Sequence, residues 1–358
     1  MAKTKKRPAL AITLGDPAGV GAEVAFRALT APPRLRCRPL LIGDLGAARA
    51  CARRLRSGVA IEPVSAEQLA SGGLPTGTAL PLLPAGSAPL AASERRPGKP
   101  TRAGARVAYE SIRAAVGLAG EGVVDALCTA PVSKEWFARA RVARTGHTEI
   151  LGELTAARDV RMMMAVDDLR VVLVTIHVAL REVSRSIDVA GVLETIEMTA
   201  EHLRRWWRIR KPRVAVAGLN PHASDGGVYG DEETRVIAPA IRRAKRRGID
   251  ARGPYPADTL FSALGPKADA VVAMYHDQGL VPIKQRDVHR AVNVTLGLPF
   301  VRTSPDHGTG YDVAGKGRAD PSSMRAAIEL ALKLAPTHCA GLPRTRHSRA
   351  GSPRRGSP

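Results

Sequence analysis

The chain reads as an α/β protein with a mostly parallel sheet, and three observations predict it. Short apolar runs, many of them β-branched, recur along the sequence. Amphipathic stretches of helical period lie between them. The core must also be aliphatic, since apolar residues make up 44% of the 358 residues but aromatics only 3%. Continuous apolar strands alternating with amphipathic helices are the pattern of a layered fold whose strands are covered on both faces.

The strand-like runs are residues 10–14, 123–129, 171–176, 214–217, 270–274 and 292–296. Helical patterns span residues 19–29, 102–118, 189–207, 232–247 and 321–334. Residues 71–101 are rich in Pro, Gly and Ala and read as an extended loop or a weak strand pair. A catalytic unit is expected over residues 8–340, with basic, disordered tails at 1–7 and 341–358. The length suits one two-lobed unit or two domains.

A formal charge of +21 invites a nucleic-acid reading. The tails alone, from Lys3 to Arg7 and from Arg344 to Arg355, supply 9 of those charges, and stacking platforms need aromatics, of which this chain has few. A solvated basic surface, suited to anionic substrates, is the better account. Cys37, Cys51, Cys128 and Cys339 show no CxxC pairing and read as reduced thiols. No stretch is built as a signal peptide or a membrane span, so a cytoplasmic protein with no membrane or nucleic-acid partner is expected.

The chemistry is expected where the strands end. Residues 171–176 run directly into His177. Residues 214–217 lead through Gly-Leu-Asn-Pro to His222, and residues 270–274 lead to His276 and Asp277. Ligands of α/β folds bind beyond the carboxyl ends of strands. Three imidazoles there suit a divalent ion with an open position, although any one of them alone suits a cap or a satisfied core. His147 and Thr148 open a helical stretch after residues 123–129 and suit an anion, or an ordinary helix cap. Lys284, Asn293 and Arg302 form a polar and cationic group suited to phosphate or carboxylate. No GxGxxG follows a strand. Two other Gly-rich segments, residues 14–21 and 306–317, permit close backbone approach to a cofactor or are simply turns.

The segments ITLGDPAGVGAE (12–23), GHTE (146–149), GLNPHASDGG (218–227), PADTLF (256–261), AMYHDQGL (273–280) and VNVTLGLPFVRTSPDHGT (292–309) resemble the 4-hydroxythreonine-4-phosphate dehydrogenase family of pyridoxine biosynthesis. The resemblance implies an isocitrate/isopropylmalate dehydrogenase-like fold, two α/β lobes with a cleft between them. It implies a homodimer whose active sites are shared, and NAD- or NADP-dependent oxidation of a phosphorylated hydroxy-acid substrate followed by decarboxylation. It also implies a divalent ion (Zn, Mg, Co or Mn) on His177, His222 and His276. Substrate would lie on His147, Thr148, Lys284, Asn293 and Arg302. The loop DHGTGYDVAGKG (306–317) is similar to the adenosine-binding loop of those dehydrogenases, which assigns His307, Gly308, Asp312 and Gly315 to the cofactor. Asp258 and Asp277 are the candidates for orienting a ligand or moving a proton.

Three departures bear on the substrate. His177 is followed by Val-Ala-Leu where the family commonly has a proline. Residues 285–291 replace a Gly-rich stretch. Residues 311–317 look more like the 4-phospho-D-threonate and 4-phospho-D-erythronate enzymes. Those two substrates are the alternatives, and a metal-dependent hydrolase or lyase working without NAD is the alternative of another class.

Overall fold

The computed structural model describes residues 7–75, 77–143, 146–262 and 267–335. The expected tails, Arg7 apart, lie outside the described residues. Twelve strands are present: β1 (Ala9–Thr13), β2 (Arg38–Gly43), β3 (Ile61–Pro63), β4 (Leu80–Pro84), β5 (Ala126–Thr129), β6 (Arg161–Val166), β7 (Leu169–Leu173), β8 (Arg213–Ala217), β9 (Asp250–Tyr255), β10 (Ala270–Ala273), β11 (Val292–Leu296) and β12 (Val301–Pro305). They form one sheet in the order β3-β4-β2-β1-β5-β12-β11-β6-β7-β10-β8-β9.

Two parallel blocks make up that sheet, β3 to β12 on one side and β7 to β9 on the other. Between them β11 pairs antiparallel with both β12 and β6, and β6 pairs antiparallel with β7. The blocks therefore run in opposite directions. The reversal at β6–β7 uses a two-residue turn in which Asp167 takes φ +50°, a conformation that a short polar side chain tolerates.

The helices cover both faces, as continuous apolar strands require. β1 is buried at every position. Val24 and Phe26 of the helix Gly21–Thr30 and Met324, Ile328 and Ala331 of the helix Ser322–Leu334 cover one face of its block. Ala105, Ala108, Ile112 and Ala115 of the helix Arg102–Gly120 cover the other. In the second block Val192, Ile196 and Ala200 of the helix Val189–Arg205 pack with Val214, Val216 and Val272. Leu280 and Ile283 of the helix His276–Asp287 pack with Val171, Leu173 and Ala273 on its other face. Cys37, Cys51 and Cys128 are buried free thiols, pushed up by burial to about 11, about 11 and about 12. Among the described residues no helix is long and apolar enough to cross a membrane.

Six of the strands match the apolar runs of the sequence. β2, β3, β4, β6, β9 and β12 carry weaker signals. β6 is Arg-Met-Met-Met-Ala-Val, with one β-branched residue, and β4 begins and ends its apolar core with proline. β12 is Val-Arg-Thr-Ser-Pro, fully buried yet mostly polar, because its side chains build the site described below.

Gly21 tests how tightly the first turn packs. A Cβ there would lie 2.2 Å from the Leu14 carbonyl oxygen and 2.9 Å from the Ala130 Cβ. Gly21→Ala should cost about 1–3 kcal/mol by overpacking. Gly117→Ala, on an open helix face with nothing within 4 Å, should stabilise by about 0.5–1 kcal/mol. Urea midpoints of the two variants check both signs.

Candidate active site

The site begins with a face of the sheet. Register sets Asn293 of β11 opposite Ser304 of β12 and Met164 of β6, and sets Arg302 beside Leu127 of β5. Side chains alternate across a strand, so Asn293 and Thr295 share a face with Arg302 and Ser304. Arg302 is only 2% exposed. Its Nε and Nη2 donate to Thr129 Oγ1 at 3.1 and 2.6 Å, and its Nη1 donates to Thr295 Oγ1 at 2.9 Å. No carboxylate among the described residues pairs with it. Desolvation lowers its pKa to about 10, which leaves the guanidinium charged at neutral pH. A buried cation held only by hydroxyls has an unmet electrostatic demand, and an incoming anion meets it.

Above this face lies a cavity of about 180 Å³. Thr129, Lys134, His147, Thr148, Glu149, His177, Asn293, Arg302, Ser304, His307 and Gly308 contribute to its lining. The helix His147–Thr155 starts here after Gly146, and no side chain caps it. Thr148 is therefore not the cap that its position suggested. His147 Nε2, Asn293 Oδ1 and His307 Nε2 are sealed from solvent with no hydrogen-bond partner. Three orphaned polar atoms around one small cavity call for a polar ligand. Burial, then Arg302 and Lys134, hold the His147 imidazole well below its usual pKa, so it is neutral.

The three strand-end histidines belong to β7, β10 and β8, which are parallel neighbours in that order. Pairing continues past the strand ends, with Val174 N and Thr175 N donating to the carbonyls of Ala273 and Met274. That continuation brings the His177 and His276 rings to 6.0 Å between centroids. His177 Nδ1 lies 3.5 Å from Lys134 Nζ. Burial, then Lys134 and His276, keep His177 in its neutral form, the form that binds metals. The Asp277 carboxylate sits 2.6 Å from His276 Nδ1, an orienting contact that leaves Nε2 free. His222 is exposed on a left-handed turn, with φ +53°. Among the described residues no three His, Cys, Asp or Glu side chains converge closely enough to hold an ion. The imidazole chemistry fits a divalent ion, and within one chain the geometry pairs two of the three.

Two other expected residues stand apart from the cavity. Lys284 pairs with Asp306 at 3.3 Å and borders a separate surface hollow with His276 and Asp277. Asp258 is exposed at the start of the helix Ala257–Leu260 and lines no cavity with the others. Conversely, Thr129, Lys134, Glu149 and Ser304 line the cavity without having been singled out. For Thr129 and Lys134 the signal was their place at a strand end. Ser304 could be found only from its two-residue spacing to Arg302.

The two Gly-rich segments meet. Val20 N donates to the Thr309 carbonyl at 2.9 Å, and Tyr311 Oη donates to Asp16 Oδ2 at 2.7 Å. Burial pushes the Asp16 carboxyl up. Between the segments opens an apolar cavity of about 320 Å³ bounded by Val20, Val24, Gly310, Val313, Asp320 and Ser323. His307 and Gly308 form a wall common to both cavities. Asp312 is exposed and Gly315 packs beside Pro97, so neither lines this second cavity.

The family model described as "Pyridoxal phosphate biosynthetic protein PdxA" matches residues 35–331. A Geobacter metallireducens protein named 4-hydroxythreonine-4-phosphate dehydrogenase is 48% identical over 332 residues, covering 92% of this chain and 96% of its own. A Symbiobacterium thermophilum protein named for a D-threonate 4-phosphate dehydrogenase is 41% identical over 336 residues, covering 92% and 97%. The crystal structure of a 4-hydroxythreonine-4-phosphate dehydrogenase from Klebsiella pneumoniae superposes with a TM-score of 0.82 at 35% identity, covering 93% of this chain and 99% of that one.

Acid should weaken the fold through its neutral imidazoles. His147, His177 and His202 all have pKa values lowered from 6.5, with burial the largest cause. Below that value the unfolded chain binds protons that the folded chain refuses. Stability is therefore lost on acidification, by at most about 1.4 kcal/mol per pH unit for each group. Thermal midpoints should fall from pH 7 to pH 5.5, and fall less steeply in His147→Gln.

Proposed function

Because this chain belongs to the pyridoxal phosphate biosynthetic protein PdxA family, a family of dehydrogenases, we propose that it oxidises 4-phosphohydroxy-L-threonine with NAD. The product is 2-amino-3-oxo-4-phosphooxybutanoate, which loses carbon dioxide to give 3-amino-2-oxopropyl phosphate. One observation carries the reading: a buried Arg302 guanidinium, without a carboxylate partner among the described residues, faces a small polar cavity ringed by unsatisfied His147, Asn293 and His307 atoms.

In this reading Arg302, Thr148 and neutral His147 hold the phosphate in the small polar cavity. Lys134, at the other side of the lining, holds the carboxylate end. The substrate's C3–H bond then faces the wall formed by His307 and Gly308, which the apolar second cavity shares. A nicotinamide-type cofactor in that cavity would receive the hydride across a short, oriented path. His177, His222 and His276 would hold a divalent ion, which when bound supplies Lewis-acid polarisation of the substrate's hydroxyl oxygen. Asp277 orients His276 for that role.

We further read the working form as a homodimer with shared sites. Val178, Leu180, Val228, Tyr229, Val281 and Val288 are exposed large apolar side chains, and all flank the three histidines in sequence or on the His276 helix. Such a group is the mark of an interaction face.

A second reading is oxidation of 4-phospho-D-threonate. The Symbiobacterium relative and the Tyr311-to-Gly317 loop favour it. Absorbance of reduced nicotinamide, followed with a divalent ion and each phosphate in turn, separates the two. Turnover with the L-threonine derivative supports the first reading. Turnover with a D-acid phosphate alone supports the second. Silence with every phosphate overturns both. Arg302→Met should lower kcat/KM at least about 100-fold by removing a buried charge-assisted contact, with steady-state kinetics as the check.

A further inference from the structure

We propose that Glu233 and Gln278 form a buried bracket that sets His222 relative to His276, making both of them positioning residues for the ion site. The proposal rests on the metal reading above.

The turn that carries His222 is strained. His222, Ala223, Ser224 and Asp225 take φ values of +53°, +53°, +68° and +46°, and Gly226 follows at +70°. Left-handed backbone costs a non-glycine residue about 1–2 kcal/mol, and a run of four persists only when its surroundings over-determine it. Few contacts come from within the turn. Ala223 N donates to the Asn220 carbonyl at 3.1 Å, and Tyr229 N donates to the Ser224 carbonyl at 3.2 Å.

The bracket supplies the rest. Glu233 is 3% exposed. Its Oε1 accepts from Leu219 N and Asn220 N, both at 2.7 Å, and its Oε2 accepts from Asn220 Nδ2 at 2.9 Å. Glu232 Oε2 takes the same Asn220 amide at 2.7 Å. One carboxylate therefore holds both residues ahead of Pro221 and His222. It does so from the first position of a π-helical turn, Glu233–Ile237, a local widening often found at functional sites.

Gln278 closes the other side. It is 8% exposed and donates through Nε2 to the Gly218 carbonyl at 2.7 Å, while its Oε1 accepts from Met274 N at 2.6 Å. Met274 lies two residues before His276, and Gly218 lies four before His222. Gly218 is closely packed, since a Cβ there would sit 3.0 Å from both Ala223 Cα and Glu233 Oε1. The two histidine segments are thus joined by hydrogen bonds that touch neither ring. Asn293, Arg302 and the cavity take no part in them.

Co²⁺ titration of the metal-free full-length protein, followed by visible absorbance, tests the bracket without turnover. Glu233→Gln and Gln278→Met should each weaken Co²⁺ binding about 10–100-fold, with thermal midpoints moved by only a few degrees. Adding Glu233→Gln to His222→Ala should bring little further loss, because both act through one ligand. Should Glu233→Gln fail to fold, Asn220→Ala removes the Asn220 Nδ2 contacts to Glu233 and Glu232 from the half-buried rim. Wild-type affinity in the bracket variants beside a weakened His222→Ala overturns the proposal. Full additivity of Glu233→Gln and His222→Ala overturns it as well. Wild-type affinity in His222→Ala overturns the metal reading beneath it, and the two failures are told apart by that variant alone.

Discussion

The guanidinium of Arg302 is the charge around which the site is organised. It sits inside a β-sheet, on a strand paired on both sides, and its hydrogen bonds end on two threonine hydroxyls. Hydroxyls orient a guanidinium but do not neutralise it. The fold therefore maintains a standing positive potential at the floor of a small cavity. The lowered pKa of His147 follows in part from that charge, and the neutrality of His147 in turn leaves a hydrogen-bonding site that does not compete for the anion. A carboxylate beside Arg302 would have made a more comfortable core and a worse enzyme.

The antiparallel pair β11 and β6 gives that charge its neighbours. In a wholly parallel sheet all strand-end loops would lie on one edge. Here the two blocks run oppositely, so the turn after β5 and the segment leaving β7 approach from different directions. Lys134 comes from the first and His177 from the second, and they meet at 3.5 Å. Arg302 and His177 thus line one cavity while belonging to different halves of the sheet.

Much of this was legible in the sequence, and the remainder was hidden for physical reasons. Strands buried on both faces announce themselves as apolar runs, which made β1, β5, β7, β8, β10 and β11 readable. β12 was not, because burying Arg302, Thr303 and Ser304 erases the apolar signature. His147, Thr148, Asn293 and Arg302, expected around the substrate, line one cavity, and His307 and Gly308, expected at the cofactor, lie in its wall. Lys284 was expected there too, but the helix that carries it turns it toward Asp306. Asp312 and Gly315 share a loop with His307, yet Asp312 is exposed and Gly315 packs beside Pro97, so neighbours in sequence part in space. Contacts such as Glu233 with Asn220 leave no trace in periodicity, because their meaning depends on a turn whose handedness no pattern encodes.

The order of strands also constrains how the chain can be made. β1 pairs with β5, but the other side of β5 belongs to β12, which spans Val301–Pro305. A chain emerging from the ribosome can assemble β1 to β5 early and then wait through some 170 residues with that edge unpaired. An apolar strand with a free edge is a template for pairing with another chain. The last strand to be synthesised in this half is the one that both seals the edge and delivers Arg302, so a nascent chain keeps an adhesive edge until its buried guanidinium is in place.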